Sequence, residues 1–440
     1  MKEDWEIKKL SEIGNVFNGN SINAKVKKER YTDLDSGLPY IGTKDVGFDS
    51  IIDYENGVKI PFSEKEQFKI APPNTPLICA EGGSAGRKIG FTNQEVCFGN
   101  KLFALVPNKN VDSRFLFYYY FSASFQKHFS TEMAGIIGGV SMNKFKSIEL
   151  PHPSLPEQQR IVSILDKAFA AIDKAKANAE QNLQNANELF ESYLQGVFEN
   201  KGEGWEEKTL KKLATKIGSG ATPRGGQKSY KTEGISLVRS MNVHDSEFRE
   251  HNLAYIDEKQ AKELDGVTLQ ENDVLLNITG ASVARCCVFP IEYLPARVNQ
   301  HVSIIRPKKD MLDSRFLNLL LTSKPYKDQL LLTGEQGATR QAITKAQIET
   351  FKILLPGLEE QQTIVRQLDA LRAETQKLEA VYQKKMDNLE ALKKSILQKA
   401  FAGELDTSAS SVTKEKTYYL QDEPSSLAAE PKSKMQKQNG

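Results

Sequence analysis

The sequence predicts an α+β protein: two tandem mixed α/β domains, each followed by a long helix, the two helices pairing as an antiparallel coiled coil. Three observations carry this. The chain repeats itself once, at an offset of about 200 residues. Each repeat opens with short apolar stretches bounded by Gly, Pro and Asn. Each closes with a segment whose apolar positions recur at steps of three and four.

The repeat is legible residue by residue. Trp5-Glu6 returns as Trp205-Glu206, and Leu10 and Ile13 return as Leu210 and Leu213. Asn74-Thr75-Pro76-Leu77-Ile78 returns as Asn272-Asp273-Val274-Leu275-Leu276. At the same offset Gly82, Ser84, Arg87 and Phe91 become Gly280, Ser282, Arg285 and Phe289. Ser113-Arg114-Phe115-Leu116 recurs unchanged as Ser314-Arg315-Phe316-Leu317. The boundaries that follow are domains at 1–152 and 201–355, long helices at 153–200 and 356–403, and a tail at 404–440 that is polar, aperiodic and reads as disordered. Identity is low in the middle of each repeat and concentrated at its end, the pattern of one scaffold bearing two different surfaces.

Within the domains, Thr75–Ala80 and Leu102–Pro107 suit strands, and Asp112-Ser113 and Asp313-Ser314 suit helix N-caps. The aromatic run from Phe115 to Phe121 reads as a buried helix, because the second repeat answers it with leucines. The long segments lack Pro and mid-helix Gly from Glu157 to Gln195. The first seam is expected at Ile161, Leu165, Ala168, Ile172, Ala175, Ala179, Leu183, Ala186, Leu189, Tyr193 and Val197. The second is expected from Ile364 and Leu368 through Leu371, Thr375, Leu378, Tyr382 and Met386 to Ala400. Each helix would run about 60–65 Å at 1.5 Å per residue. Two seams of equal length make each other the economical partners, and antiparallel pairing would set the domains at opposite ends.

Composition narrows the function. No apolar run reaches the roughly 18 residues of a membrane span. The N-terminus is charged and has no apolar signal core, so a cytoplasmic protein is expected. Cys79, Cys97, Cys286 and Cys287 have no CxxC spacing, which fits a reducing compartment. The segment 200–358 carries 23 Lys and Arg against 19 Asp and Glu, so the positive balance lies in the second domain. Catalytic motifs are missing. Gly82-Gly83-Ser84-Ala85-Gly86-Arg87-Lys88 lacks the spacing of a phosphate loop, and Ala71-Pro72-Pro73-Asn74 departs at both ends from the amino-methyltransferase motif. The five histidines do not cluster with Cys or acids at metal-ligand spacing. No catalytic residue, metal ligand or cofactor-binding residue is expected.

One signature binds these features together. Pro153-Ser154-Leu155-Pro156-Glu157-Gln158-Gln159-Arg160-Ile161 opens the first long helix and returns as Pro356-Gly357-Leu358-Glu359-Glu360-Gln361-Gln362-Thr363-Ile364. With the duplicated plan around it, over about 1–405, the chain resembles the specificity (S) subunit of type I restriction-modification enzymes, the HsdS family. The loop Gly218-Ser219-Gly220-Ala221-Thr222-Pro223 also looks like that family's glycine and Thr-Pro turn, while Asn18-Gly19-Asn20-Ser21 lacks the proline. The resemblance implies that each globular domain is a target recognition domain reading one half of a split site on double-stranded DNA. It implies a helix pair that sets the gap and docks two modification (methyltransferase) subunits, with motor/nuclease restriction subunits joining. S-adenosylmethionine, ATP and Mg would belong to those partners and none to this chain.

Candidate readers follow from base chemistry: Arg and Lys suit guanine, Asn and Gln suit adenine. In the first domain these are Asn20, Lys44, Arg87, Lys88, Asn143 and Lys144. In the second they are Thr222, Arg224, Gln227, Lys228, Tyr230, Arg239, Asn242, Arg285 and Arg340. Arg87 and Arg285 occupy matching positions, which favours a shared phosphate or structural role. The competing expectation is a duplicated coiled-coil adaptor that binds protein and has no DNA specificity. A self-contained nuclease or methyltransferase is a third, disfavoured by the missing motif.

Overall fold

The computed structural model describes residues 4–134, 138–200, 202–335 and 342–407. The tail from 408 and the candidate Arg340 lie outside them. The chain forms two compact units: one runs to Asn178 and resumes at Lys385, the other is Ala179–Lys384. Each contains one globular domain and a stretch of both long helices.

The two domains share a strand plan. In the first, Gly14–Asn18, Leu102–Pro107, Pro76–Cys79 and Ile89–Phe91 form an antiparallel four-stranded sheet. Ala214–Ser219, Val302–Pro307, Val274–Asn277 and Cys286–Val288 repeat it in the second, in the same order. A smaller sheet pairs Leu38–Ile41 parallel to Val96–Phe98, and its counterpart pairs Ile235–Val238 parallel to Ala296–Val298. The ends of each domain are tied by a two-stranded ribbon, Glu6–Lys9 with Glu149–His152 and Glu206–Thr209 with Lys352–Leu355. Central strands such as Pro76–Cys79 and Val274–Asn277 are buried along their whole length, which suits their apolar runs; the one polar residue, Asn277, donates its amide to the Ser240 carbonyl.

The aromatic run is core. Phe115, Leu116, Tyr118, Tyr119 and Tyr120 are buried in the helix Ser113–Tyr119 and the residue after it, and the helix is capped by Asp112, which accepts from the backbone N–H groups of Arg114 and Phe115. Asp313 caps Ser314–Thr322 in the same way.

The long helices are Leu155–Glu199 and Leu358–Ala402, and Gly403 beyond the second has φ +75°, the left-handed conformation that ends a helix. They run antiparallel. In the first unit Lys176 meets Glu390 at 2.6 Å and Asp173 meets Lys393 at 3.2 Å, so three residues back along one helix is three forward along the other. In the second unit the Arg372 guanidinium lies 4.4 Å from the Phe190 ring centroid.

The first seam departs from expectation at its C-terminal end. Leu189 and Tyr193 are 50% and 44% exposed, while Phe190, Leu194 and Phe198 are buried. From Ala186 the buried residues advance by four each time. Four residues turn a helix by 400°, so each step rotates the buried stripe by 40°. The rotation carries it onto the second domain's core, where Phe198 meets Phe316 at 5.5 Å and Trp205 at 6.4 Å. Leu378, expected in the second seam, is likewise 38% exposed.

Candidate nucleic-acid interface

The residues most alike between repeats build the junction between domain and long helix. Gln158 is fully buried; its carboxamide oxygen accepts the Asp112 backbone N–H at 2.9 Å, and its nitrogen donates to the carbonyls of Pro153 at 2.8 Å and Asn110 at 3.2 Å. Gln361, also fully buried, accepts from Asp313 at 2.9 Å and donates to Pro356 at 2.9 Å and Met311 at 3.0 Å. Arg114 pairs with Asp166 at 2.7 Å, and Arg315 pairs with Asp369 at 2.8 Å. Tyr118 also donates its hydroxyl to Asp166, and burial pushes that phenol up to about 12. The repeated Ser-Arg-Phe-Leu and Glu-Gln-Gln motifs are thus fastenings. What reads a ligand must lie elsewhere in the domains.

In the first domain the fold brings Arg87 and Lys88 to a residue that base chemistry does not single out. Phe48, 63% exposed, has the Arg87 guanidinium 5.1 Å and the Lys88 ammonium 5.2 Å from its ring centroid. Lys88 also donates to the Thr43 carbonyl at 3.0 Å. Lys44 is exposed and 3.7 Å from the Asp45 carboxylate. Asn20 is held differently: its side-chain oxygen accepts the Lys69 N–H at 2.8 Å and its nitrogen donates to the Gln67 carbonyl, so its amide ties its loop to the segment around Gln67–Lys69. Asn143 and Lys144 sit on the short helix Met142–Lys146, where Lys144 pairs with Glu132 at 3.0 Å.

In the second domain Thr222 donates its hydroxyl to the side-chain oxygen of Gln300. The Gln300 nitrogen lies 3.0 Å from His301 Nε2, and His301 Nδ1 lies 2.6 Å from the Thr279 hydroxyl. Both ends of the exposed Gln300 amide are therefore oriented. Arg224, Gln227 and Lys228 are exposed on the loop before it, and no side-chain hydrogen bond or ion pair holds them among the described residues. Arg239 lies 5.5 Å from the Tyr230 centroid and donates to the Asn252 carbonyl. Asn242 is fully buried; its amide accepts from Arg239 N at 3.1 Å and donates to Arg249 at 2.8 Å and His251 at 3.3 Å. Arg285 is half-buried beside the turn at Ala284, whose φ is +67°.

The scaffold under these surfaces is common to both domains. Asp45 accepts the Gly42 N–H at 2.8 Å, and Asn242 accepts the Arg239 N–H three residues before it, each after the same strand. A Cβ on Gly19 would stand 1.9 Å from the Phe98 carbonyl oxygen, and one on Gly220 would stand 1.8 Å from that of Val298, so each loop start requires glycine. Three residues past the shared turn, however, the first domain presents Phe48 and the second presents Asp245, held by Lys327. Where the first domain has Lys101 3.9 Å from Glu81, the second has His301 and Thr279. Phe48 and Gln300 are not marked out by sequence because their use depends on partners far along the chain; a lone Phe between Gly47 and Asp49 in a turn-rich stretch is the one local signal for the first.

Among the described residues no group of three or more His, Cys, Asp and Glu could hold a metal ion, and no helix is long and apolar enough to cross a membrane. A family model described as "Type I restriction modification DNA specificity domain" matches residues 2–183 and again 202–386. The chain is 25% identical over 429 residues to the StySPI specificity subunit of Salmonella potsdam, covering 92% of this chain and 90% of that protein. It is 24% identical over 434 residues to the EcoKI specificity subunit of Escherichia coli K12, with the same coverage. Among solved structures it is similar to a chain from a structure of complex assembly and conformational transition of the type I R-M system, with TM-score 0.71, 19% identity and 92% and 99% coverage. It is also similar to the HsdS subunit from Thermoanaerobacter tengcongensis, with TM-score 0.60, 19% identity and 92% and 98% coverage.

Proposed function

The chain belongs to the type I restriction modification DNA specificity family, and from that membership we propose that its two globular domains each read one half of a split DNA target. Its role is DNA recognition within a type I restriction-modification system, and it is a specificity subunit that performs no catalytic step itself. The protein-only adaptor reading falls away.

The observation that carries the split-target reading is the pairing of like fastenings with unlike faces. Gln158 and Gln361 make the same three bonds, while Phe48 and Asp245 stand at one scaffold position. Two copies of one reader would repeat the face as well. In the second domain, Gln300 oriented by Thr222 and His301 suits the paired acceptor and donor of an adenine edge. Arg224 and Lys228, free of internal partners among the described residues, suit phosphates, whose contacts weaken with salt. In the first domain Lys44, Arg87 and Lys88 are the corresponding cations.

The long helices would set the gap between half-sites and dock two methyltransferase subunits. The outward Leu189 and Tyr193, with Val197, and the exposed Leu378 and Val381 give those subunits apolar footing. S-adenosylmethionine would be bound by them, and ATP and Mg by motor/nuclease subunits, all in the cytoplasm with the DNA.

The test is a genome-wide map of N6-methyladenine in host cells with and without this chain. Deletion is expected to erase one split motif, and replacing one domain is expected to change one half of it. A map indifferent to the chain, in cells expressing it with its methyltransferase partner, would refute the reading.

A further inference from the structure

We propose that Phe48 is a specificity-determining residue of the first domain, and that its ring edge reads the C5 methyl group of a thymine in the major groove while Arg87 and Lys88 hold the ring. This rests on the reading that the first domain binds DNA.

The hairpin that carries Phe48 is built to be rigid. Gly47 N donates to the Ile51 carbonyl at 2.8 Å, Val46 bridges Ile52, and Asp49 accepts the Ile51 N–H at 3.1 Å. Its base is buried: Val46 and Ile52 pack into the core, and a Cβ on Gly90 would stand 2.7 Å from Ile52. From this base two large apolar side chains project, Phe48 at 63% and Ile51 at 67% exposure. A site that reads by contact needs a preorganised support of this kind.

The scaffold does not require the ring. The second domain closes the same turn with Asn242 and places Asp245 at the tip. Most of the Phe48 ring is left in water, and cations over its face do not remove the apolar edge from solvent. An apolar partner absent from the isolated chain would cover that edge. Duplex DNA offers one in the major groove, the thymine methyl group. With its face engaged by Arg87 and Lys88, the ring has its edge to offer, which favours methyl contact over insertion between unstacked bases. The same cations supply donors to the flanking phosphates or guanine.

The experiment uses the full-length chain assembled with its co-expressed methyltransferase subunit, on duplexes bearing the motif found by methylation mapping. Each thymine of both half-sites is replaced in turn by deoxyuridine, which removes only the methyl group. One replacement is expected to weaken binding by the wild-type complex roughly fourfold, the worth of one buried methyl-sized group. The F48A complex should bind that duplex and the parent equally, with the other half-site and the gap still selected. Wild-type binding indifferent to every replacement, or an equal loss in both complexes, would overturn the proposal while leaving split-site recognition standing. A half-site lacking any A·T pair where F48A acts would overturn it too. A wild-type complex with no preference for motif DNA would instead bring down the underlying reading. Should F48A not assemble, the wild-type deoxyuridine series with I51A as its comparison decides the matter, since I51A should keep the sensitivity to the methyl group.

Discussion

Gln158 closes a buried bond to the backbone N–H of Asp112, joining the start of the first long helix to the N-cap of a core helix 46 residues earlier. Removing the carboxamide leaves that N–H and two carbonyls without their partner. We expect Q158L to cost about 2–3 kcal/mol, lowering the corresponding thermal transition by roughly 4–12 °C. Q361L should do the same to the other unit. Melting curves unchanged in both variants would show that the motif is not a structural fastening.

Phe401, near the end of the second long helix, is buried against Phe115 at 5.1 Å and Tyr119 at 5.4 Å. F401A should cost about 3–5 kcal/mol in denaturant unfolding. V381A, on the same helix but 58% exposed, should fall within about 0.5 kcal/mol of wild type. Equal effects would contradict the packing described.

The Glu390 carboxyl is held below its ordinary range by its hydrogen bond to Lys176, with the charges of Lys176, Lys393 and Lys394 adding. A lowered carboxylate contributes stability above its unfolded pKa and loses it as pH falls through the folded value. The contribution from this half-exposed pair is therefore present at neutral pH and fades below about pH 4.5. NMR titration should place the Glu390 midpoint below that of a model glutamate, and K176M should raise it. A midpoint insensitive to K176M would discount the pair.

All four cysteines are buried, and burial pushes the thiols of Cys97 and Cys287 up to about 12. Thiolates are the reactive form. Native protein should give almost no thiol reaction at pH 8, and denatured protein should give four equivalents. Prompt native labelling of the vicinal pair Cys286-Cys287 would show an opening that the fold does not predict.

Gln300 is oriented by Thr222 and by His301 at 3.0 Å. Q300A should cost about 1–3 kcal/mol at one base pair, visible as a single degenerate position in the methylation motif. T222V should weaken the preference less than Q300A, because His301 still holds the amide. Uniform loss across the whole motif would assign Gln300 a folding role instead.

Much of this protein could be read before its structure. The repeat, the caps at Asp112 and Asp313 and the burial of the aromatic run depend on local sequence and period, and each is found. The seam was legible only as far as Ala186. Beyond it, the stripe is set by what it packs on, and Phe198 turns towards Phe316 for reasons that no helical period contains. The reading surface was legible in residue type and not in use. Asn20 and Asn242 have the chemistry of adenine readers, yet both are consumed by nearby backbone groups. Gln300 and Phe48 are defined by neighbours 78 and about 40 residues away, Thr222 and Arg87.

The doubled glutamine lock has a consequence for how such a protein can change. Gln158 and Gln361 offer their domains one and the same socket, with matching bonds and a matching Arg–Asp clasp beside each. A globular module lifted from one place would find its attachment points waiting at the other, or in a sister chain with the same lock. New target preferences can therefore arise by exchanging whole heads at matching junctions, without passing through intermediates whose junctions are broken.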